Sequence, residues 1–373
     1  QRFKKWKGLI NPHSLLPYVF PPEFGVSLLS DNKFSTLSAQ IGAIYNNNEG
    51  TMSYNAGVKY AELFPVLEAG FNRSQRSRTN FNFGALNDTT LALTYYNAQW
   101  IENDLYASVS LPLNFTRGAN FTRLLFSATY RNIQLDVTSQ LSDPANFVSR
   151  FRTNNVNAFA PFFTQQTLRS GVIQALDFEL NFSRLRAIAT QHIYPRWGIT
   201  MNLRYRTTIS SGVNQGNVFL GQSNVYLPSI FRNHGFVLSL AYQRELFTDQ
   251  YKFRNLFFYP RGYASFIGDE VSKFGISYYL PLWCPDLALG SLLFLKRIKA
   301  ECFYDSATIL LNSWRPFNPT SNTIRSAGVE LTFDFRLLRL LEVDMGFRYS
   351  YLLDAFSSQN PHVFQLLLLR IGI

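Results

Sequence analysis

The stretch Val329-Glu330-Leu331-Thr332-Phe333-Asp334-Phe335-Arg336 changes character at every residue, with Glu, Thr, Asp and Arg on one face and Val, Leu and Phe on the other. A helix repeats every 3.6 residues, and only an extended strand sends successive side chains to opposite faces. The next segment keeps the period: Glu342, Asp344, Gly346, Arg348 and Ser350 alternate with Val343, Met345, Phe347, Tyr349 and Tyr351. Upstream, Asp177, Glu179 and Asn181 oppose Leu176, Phe178, Leu180 and Phe182, and Asn202, Arg204 and Arg206 oppose Met201, Leu203 and Tyr205. A soluble sandwich also alternates, but it turns its apolar face to a mostly aliphatic core. Here the apolar face is persistently aromatic and the polar face is charged even in mid-strand. An interfacial girdle and a water-filled lumen ask for that combination. The reading is all-β, a membrane β-barrel.

Composition agrees. The 373 residues are 46% apolar and 16% aromatic, and their mean hydropathy is −0.07. No stretch approaches 18 uninterrupted apolar residues, which excludes helical spans. The formal charge of +11 invites a nucleic-acid reading. The arginines are dispersed along strand-like segments, however, and are read as lumen and interface residues, with no nucleic-acid partner. Cys284 and Cys302 fall too far apart along a turn and the following strand to bridge, so two free thiols are expected. The opening Gln1-Arg2-Phe3-Lys4-Lys5-Trp6-Lys7 has no apolar core of a leader, and an exported protein is expected to have had one ahead of it.

Counting alternating segments gives sixteen strands, centred near 27, 41, 57, 69, 94, 109, 126, 176, 203, 221, 240, 277, 298, 332, 346 and 367. Sixteen suits the even count of bacterial barrels, whose sheet must close in lipid. Residues 1–22 do not alternate and form a periplasmic segment, either interfacial (Lys4, Lys5, Trp6, Lys7) or a linker from an upstream domain. Residues 23–373 form the antiparallel transmembrane barrel. Long connections at 132–169, 247–272, 307–325 and 353–361 face outward if the N-terminus is periplasmic. The stretch 74–88 is read as a further, irregular connection.

The loop 247–272 carries Pro260-Arg261-Gly262-Tyr263, the thirteenth segment carries Phe303-Tyr304-Asp305, and Pro195-Arg196-Trp197-Gly198 leads into the ninth. These three motifs, in this order, resemble the outer-membrane assembly and secretion superfamily. It includes the BAM-complex insertase, its TAM relative and two-partner secretion transporters, and the surface antigens of this type. The resemblance covers about residues 170–373, and the opening Asn11-Pro12-His13-Ser14 is similar to Bacteroidota members. It implies that the loop folds into the lumen and plugs it, with Arg261 docking on Asp305 beside Gly262, Tyr263 and Phe303. The residue types suit the role. Glycine allows close backbone approach, arginine presents a planar fork to a carboxylate, and the rings add packing. The twelfth segment, Phe274 to Leu282, keeps the family's Pro-Leu ending but lacks the acidic residue before it, which leaves room for a rewired network. Asp88-Thr89-Thr90 and Asp305-Ser306-Ala307 match a short O-glycosylation pattern of that phylum.

The resemblance further implies insertion or translocation of client outer-membrane or secreted polypeptides at the bacterial outer membrane of a Gram-negative cell. A seam between the first and last strands would open laterally, with Phe24, Val26 and Leu28 on one side and Leu366, Leu368 and Gly372 on the other. Gly372 weakens strand pairing there or simply marks the terminus where pairing fades. Other partners would be outer-membrane lipids, lipopolysaccharide and accessory lipoproteins. The scattered histidines (His13, His192, His234, His362) form neither a triad nor a ligand set. No enzyme, metal or cofactor is expected. The competing readings are a passive porin and a structural platform that docks lipoprotein or surface partners.

Overall fold

A computed structural model describes residues 10–20, 22–153, 168–189, 192–209, 216–231, 233–247, 251–263, 268–311, 320–338, 341–355 and 360–372. Among these residues there is no helix, and there are seventeen strands. In chain order they are β1 (Pro12–Phe20), β2 (Glu23–Asp31), β3 (Leu37–Asn46), β4 (Thr51–Tyr60), β5 (Val66–Asn87), β6 (Thr90–Asn114), β7 (Asn120–Arg152), β8 (Gly171–Arg186) and β9 (Gly198–Thr208). They continue as β10 (Gly216–Pro228), β11 (Gly235–Phe247), β12 (Glu270–Trp283), β13 (Leu287–Leu289), β14 (Leu293–Leu311), β15 (Thr320–Leu337), β16 (Leu341–Leu352) and β17 (His362–Gly372). Each pairs antiparallel with the next, except that β12 pairs directly with β14 and the three-residue β13 lines the start of β14. The first and last strands approach each other, with Cα atoms of β1 and β17 within 8 Å.

The alternation read from the sequence is present, and it is inside out relative to a soluble protein. On β15, Glu330 and Asp334 are 4% and 6% exposed while Val329 is 50% exposed. On β6, Glu102 and Asp104 are buried while Leu105 and Val109 are exposed. Soluble folds bury the apolar face, so this wall carries its apolar side outward. The buried polar side is satisfied by ion pairs that cross strands. Asp177 of β8 accepts from Arg204 and Arg206 of β9, and Arg131 of β7 bonds Asp104 of β6.

Several expectations are corrected. Residues 12–20, assigned to a non-strand segment, form β1 and pair with β2 through Pro17↔Val26 and Val19↔Phe24. The run Leu15-Leu16-Pro17-Tyr18-Val19-Phe20 hides its period because it is apolar throughout, and proline argues against a strand except at an edge. The segments centred at 94 and 109 are one strand, β6. Residues 74–87, read as a connection, continue β5, and β7 runs on to Arg152. With β1 and the short β13 added and two segments merged into β6, the sixteen expected strands become seventeen among the described residues, and the segment expected first is the second. Lys4, Lys5, Trp6 and Lys7 lie outside the described residues, as do 154–167, 312–319 and 356–359 of the long loops. Both cysteines are free and exposed.

The interior core is built around the described part of the long loop, residues 251–263. Tyr251 and Phe253 pack with Trp100, Ile133, Leu135, Ile173 and their neighbours from β6, β7 and β8. Phe257 and Tyr263 pack with Leu220, Val271, Ile309, Ile324 and Leu352 from the other half of the sheet. One extended segment therefore touches both halves of the sheet.

Candidate functional site

Strand register alone gathers negative charge on one face of the sheet. Glu301 of β14 stands directly opposite Glu330 of β15, and Glu330 stands opposite Arg348 of β16. Like charges facing each other across a sheet are unfavourable unless a cation lies between them. Asp305, four residues along β14 from Glu301, lies on the same face and is 1% exposed. Its register partner on β12 is Gly275, where a Cβ would come within 2.5 Å of the Asp305 carboxylate. The missing side chain leaves room for that carboxylate.

Arg261 supplies the cation. Its Nε donates to Asp305 Oδ2 at 2.8 Å, Nη2 to Asp305 Oδ1 at 3.1 Å, and its backbone N–H to Asp305 Oδ2 at 3.0 Å. Nη2 also donates to Ser277 Oγ of β12 at 2.9 Å, and Nη1 reaches both Glu301 and Glu330. The guanidinium lies over the Phe303 ring, 3.7 Å from its centroid. Burial alone would loosen its proton, but Glu301, Asp305 and Glu330 outweigh burial and hold it above the ordinary arginine range. Only a planar fork meets this many acceptors at once. Lys273 of β12 completes the cluster, 3.7 Å from Asp305 and donating to the Tyr259 carbonyl at 3.2 Å.

Gly262 follows in a left-handed conformation, φ +89°, and a Cβ there would lie 2.8 Å from Ser350 Cβ and Leu352 Cδ2 of β16. Tyr263 then turns its hydroxyl to the Arg325 carbonyl at 3.0 Å and accepts the Asp354 amide at 3.3 Å. Gly262→Ala is expected to lift the loop tip. The backbone conformation costs about 1–2 kcal/mol, and the overlap costs about 1–3 kcal/mol more. Limited chymotrypsin cleavage after Phe258 and Tyr263 should accelerate accordingly, and an unchanged rate would show that the wall yields to the methyl group.

A second arginine cluster holds the other half of the loop. Arg76 of β5, 1% exposed, pairs with Glu49 of the β3–β4 turn and with Glu102 of β6 at 2.8 Å. It donates to the Lys252 carbonyl at 3.3 Å and lies 5.2 Å from the Trp100 ring centroid. Glu49 accepts the Asn255 amide at 3.2 Å, while Asn46 and Asn48 donate to the carbonyls of Asn255 and Phe257. Arg254 pairs with Glu23 at 3.0 Å and donates to Ser53 at 2.9 Å, and burial pushes its guanidinium below the ordinary range despite that partner. Across the wall, Gln222 of β10 donates to the Leu256 carbonyl at 3.0 Å.

The expected site residues are placed as follows. Arg261, Gly262, Tyr263, Phe303 and Asp305 come together at the loop tip. Glu301, Glu330 and Ser277 join them unannounced, because strand register decides which residues share a height. The Arg76 cluster was missed as well, since no local pattern marks it. Pro195-Arg196-Trp197-Gly198 does lead into β9, which begins at Gly198. Leu366, Leu368 and Gly372 lie on the terminal strand β17. Phe24, Val26 and Leu28 are not on the strand next to it. They lie on β2, flanked by β1 and β3, so the strand that approaches β17 is β1.

No family model matches the chain, and no curated protein matches it. Among solved structures, BamA from Haemophilus ducreyi lacking POTRA domains 1–3 is similar at a TM-score of 0.55 and 12% identity, over 94% of this chain and 68% of that one. CdiB from Acinetobacter baumannii is similar at a TM-score of 0.46 and 10% identity, over 91% of this chain and 55% of that one, too slight a likeness to argue from. At 12% identity the likeness to BamA speaks for the fold. The chain therefore has a BamA-like fold, an antiparallel sheet of the kind that protein builds.

Proposed function

We propose that the protein is a β-barrel of the bacterial outer membrane that assists the insertion or translocation of polypeptides. The sheet closes between β1 and β17, the N-terminus is periplasmic, and residues 251–263 plug the lumen. Its clients are outer-membrane or secreted polypeptides, its surroundings lipids and lipopolysaccharide, and its accessory partners lipoproteins. It acts by admitting a client strand at the β1/β17 seam, with no cofactor and no bond made or broken. The observation that carries this reading is the Arg261 cluster, a loop tip fixed to three wall strands by charge-assisted bonds within a BamA-like fold. Two features favour the seam. Among the described residues the ladders end at β1 and β17, and β1 contains Pro12 and Pro17, which lack the N–H that a ladder needs.

The test is client cross-linking in proteoliposomes. Photoreactive residues at Leu15 or Leu16 of β1 and Leu366 of β17 should capture a folding client, and one at Val329 in mid-wall should not. Equal capture at all of these positions would sink lateral admission.

A further inference from the structure

The connection between β8 and β9 belongs to the rim opposite the loop, yet it reaches past the neighbouring β10 to β12 and β14. The Tyr194 ring lies 4.2 Å from the Tyr279 ring of β12 and 6.2 Å from the Tyr226 ring of β10, centroid to centroid. The carbonyl of His192 accepts from Arg297 of β14 at 3.3 Å. Tyr194 and Tyr279 line a cavity of about 310 Å³ whose other walls include Lys299, Glu301, Asp334 and Asp344. Glu301 is the carboxylate that Arg261 grips from the loop side. Burial, followed by the charge of Glu301, pushes the Tyr194 phenol above its ordinary range, as this proximity requires.

We infer that the β8–β9 turn braces the Arg261 cluster, with Tyr194 as a positioning residue that limits the water reaching Glu301 through the cavity they share on the side of the opposite rim. The inference rests on the plug reading and adds its regulation: the grip on the loop is set from both ends of the molecule. Charge-assisted bonds hold strongly where the local dielectric is low and weaken where water enters. A small side chain at 194 enlarges the cavity that Glu301 lines and lets more water compete for both carboxylate and guanidinium.

The experiment is limited chymotrypsin digestion of the full reconstituted chain, with cleavage after Phe258 and Tyr263, beside the tip that Arg261 holds, followed by mass spectrometry. Tyr194→Ala should accelerate cleavage by about tenfold, a size usual for members of one network. Tyr194→Phe, which keeps the ring, should cleave at the wild-type rate. Tyr194→Leu should be intermediate, and it serves if the alanine variant does not fold. Tyr194→Ala with Arg261→Ala should cleave no faster than Arg261→Ala alone, because the brace has then lost its object. A multiplied rate in the double variant, or wild-type rates for Tyr194→Ala and Tyr194→Leu beside a fast Arg261→Ala, overturns the brace. A wild-type rate for Arg261→Ala itself overturns the plug lock on which the brace depends.

Discussion

Arg261→Ala is expected to turn a nearly closed protein into one that flickers open in planar bilayers. The substitution removes the cation from among Asp305, Glu301 and Glu330, all of them nearly buried. Asp305 keeps Lys273 at 3.7 Å and Glu330 keeps Arg348, but Glu301 loses its guanidinium while still facing Glu330 across the β14–β15 ladder. Breaking a buried pair from one side costs about 3–5 kcal/mol. At 1.4 kcal/mol per tenfold, the balance between docked and released loop moves by roughly a hundred- to several-thousand-fold. Arg261→Lys should fall between the two, since a point charge satisfies one carboxylate and cannot span Asp305, Glu301 and Ser277 together. Single-channel recording decides the matter. A large, steady wild-type conductance that the substitution leaves unchanged would falsify the lock and leave a porin.

The sequence carried this lock in part, and the physics separates what was legible from what was not. Arg261-Gly262-Tyr263 and Phe303-Tyr304-Asp305 are contiguous, so their chemistry is visible in single segments. The acidic residue missing before the Pro-Leu ending of β12 pointed to a rewired network. Glu301 and Glu330 sit on β14 and β15, where only register makes them neighbours. Strand alternation was read correctly because a two-residue period survives any register. It failed in β1, where both faces are apolar and two prolines interrupt the pattern, and in β5 to β7, where strands of 22, 25 and 33 residues outrun the usual spanning length of about 9–11. That failure shifted the expected seam from β1 to β2. The Arg76 cluster was out of reach for another reason. Glu49, Arg76 and Glu102 are each separated by more than twenty residues, and a backbone segment near Lys252 and Asn255 brings them to one purpose.

That second cluster supports the other large prediction. Arg76→Ala should free the first half of the loop and leave its tip in place. Arg76 is more deeply buried than Arg261, and its removal leaves Glu49 and Glu102 side by side without their shared guanidinium. By the same estimate the local cost is about 3–5 kcal/mol. Nothing in the Arg261 cluster touches Arg76 directly, and sites without shared partners behave additively. Trypsin should therefore cut after Lys252 and Arg254 far faster in the variant, while the conductance stays close to wild type because Arg261 still holds residues 260–263 against β12, β14 and β15. In the double variant the two losses combine, and the lumen should open fully and persistently. The alternative outcome is equally informative. If Arg76→Ala alone opens the channel as widely as the double variant, the loop releases as one cooperative unit, and the two arginines are parts of one latch whose strength lies at its first half.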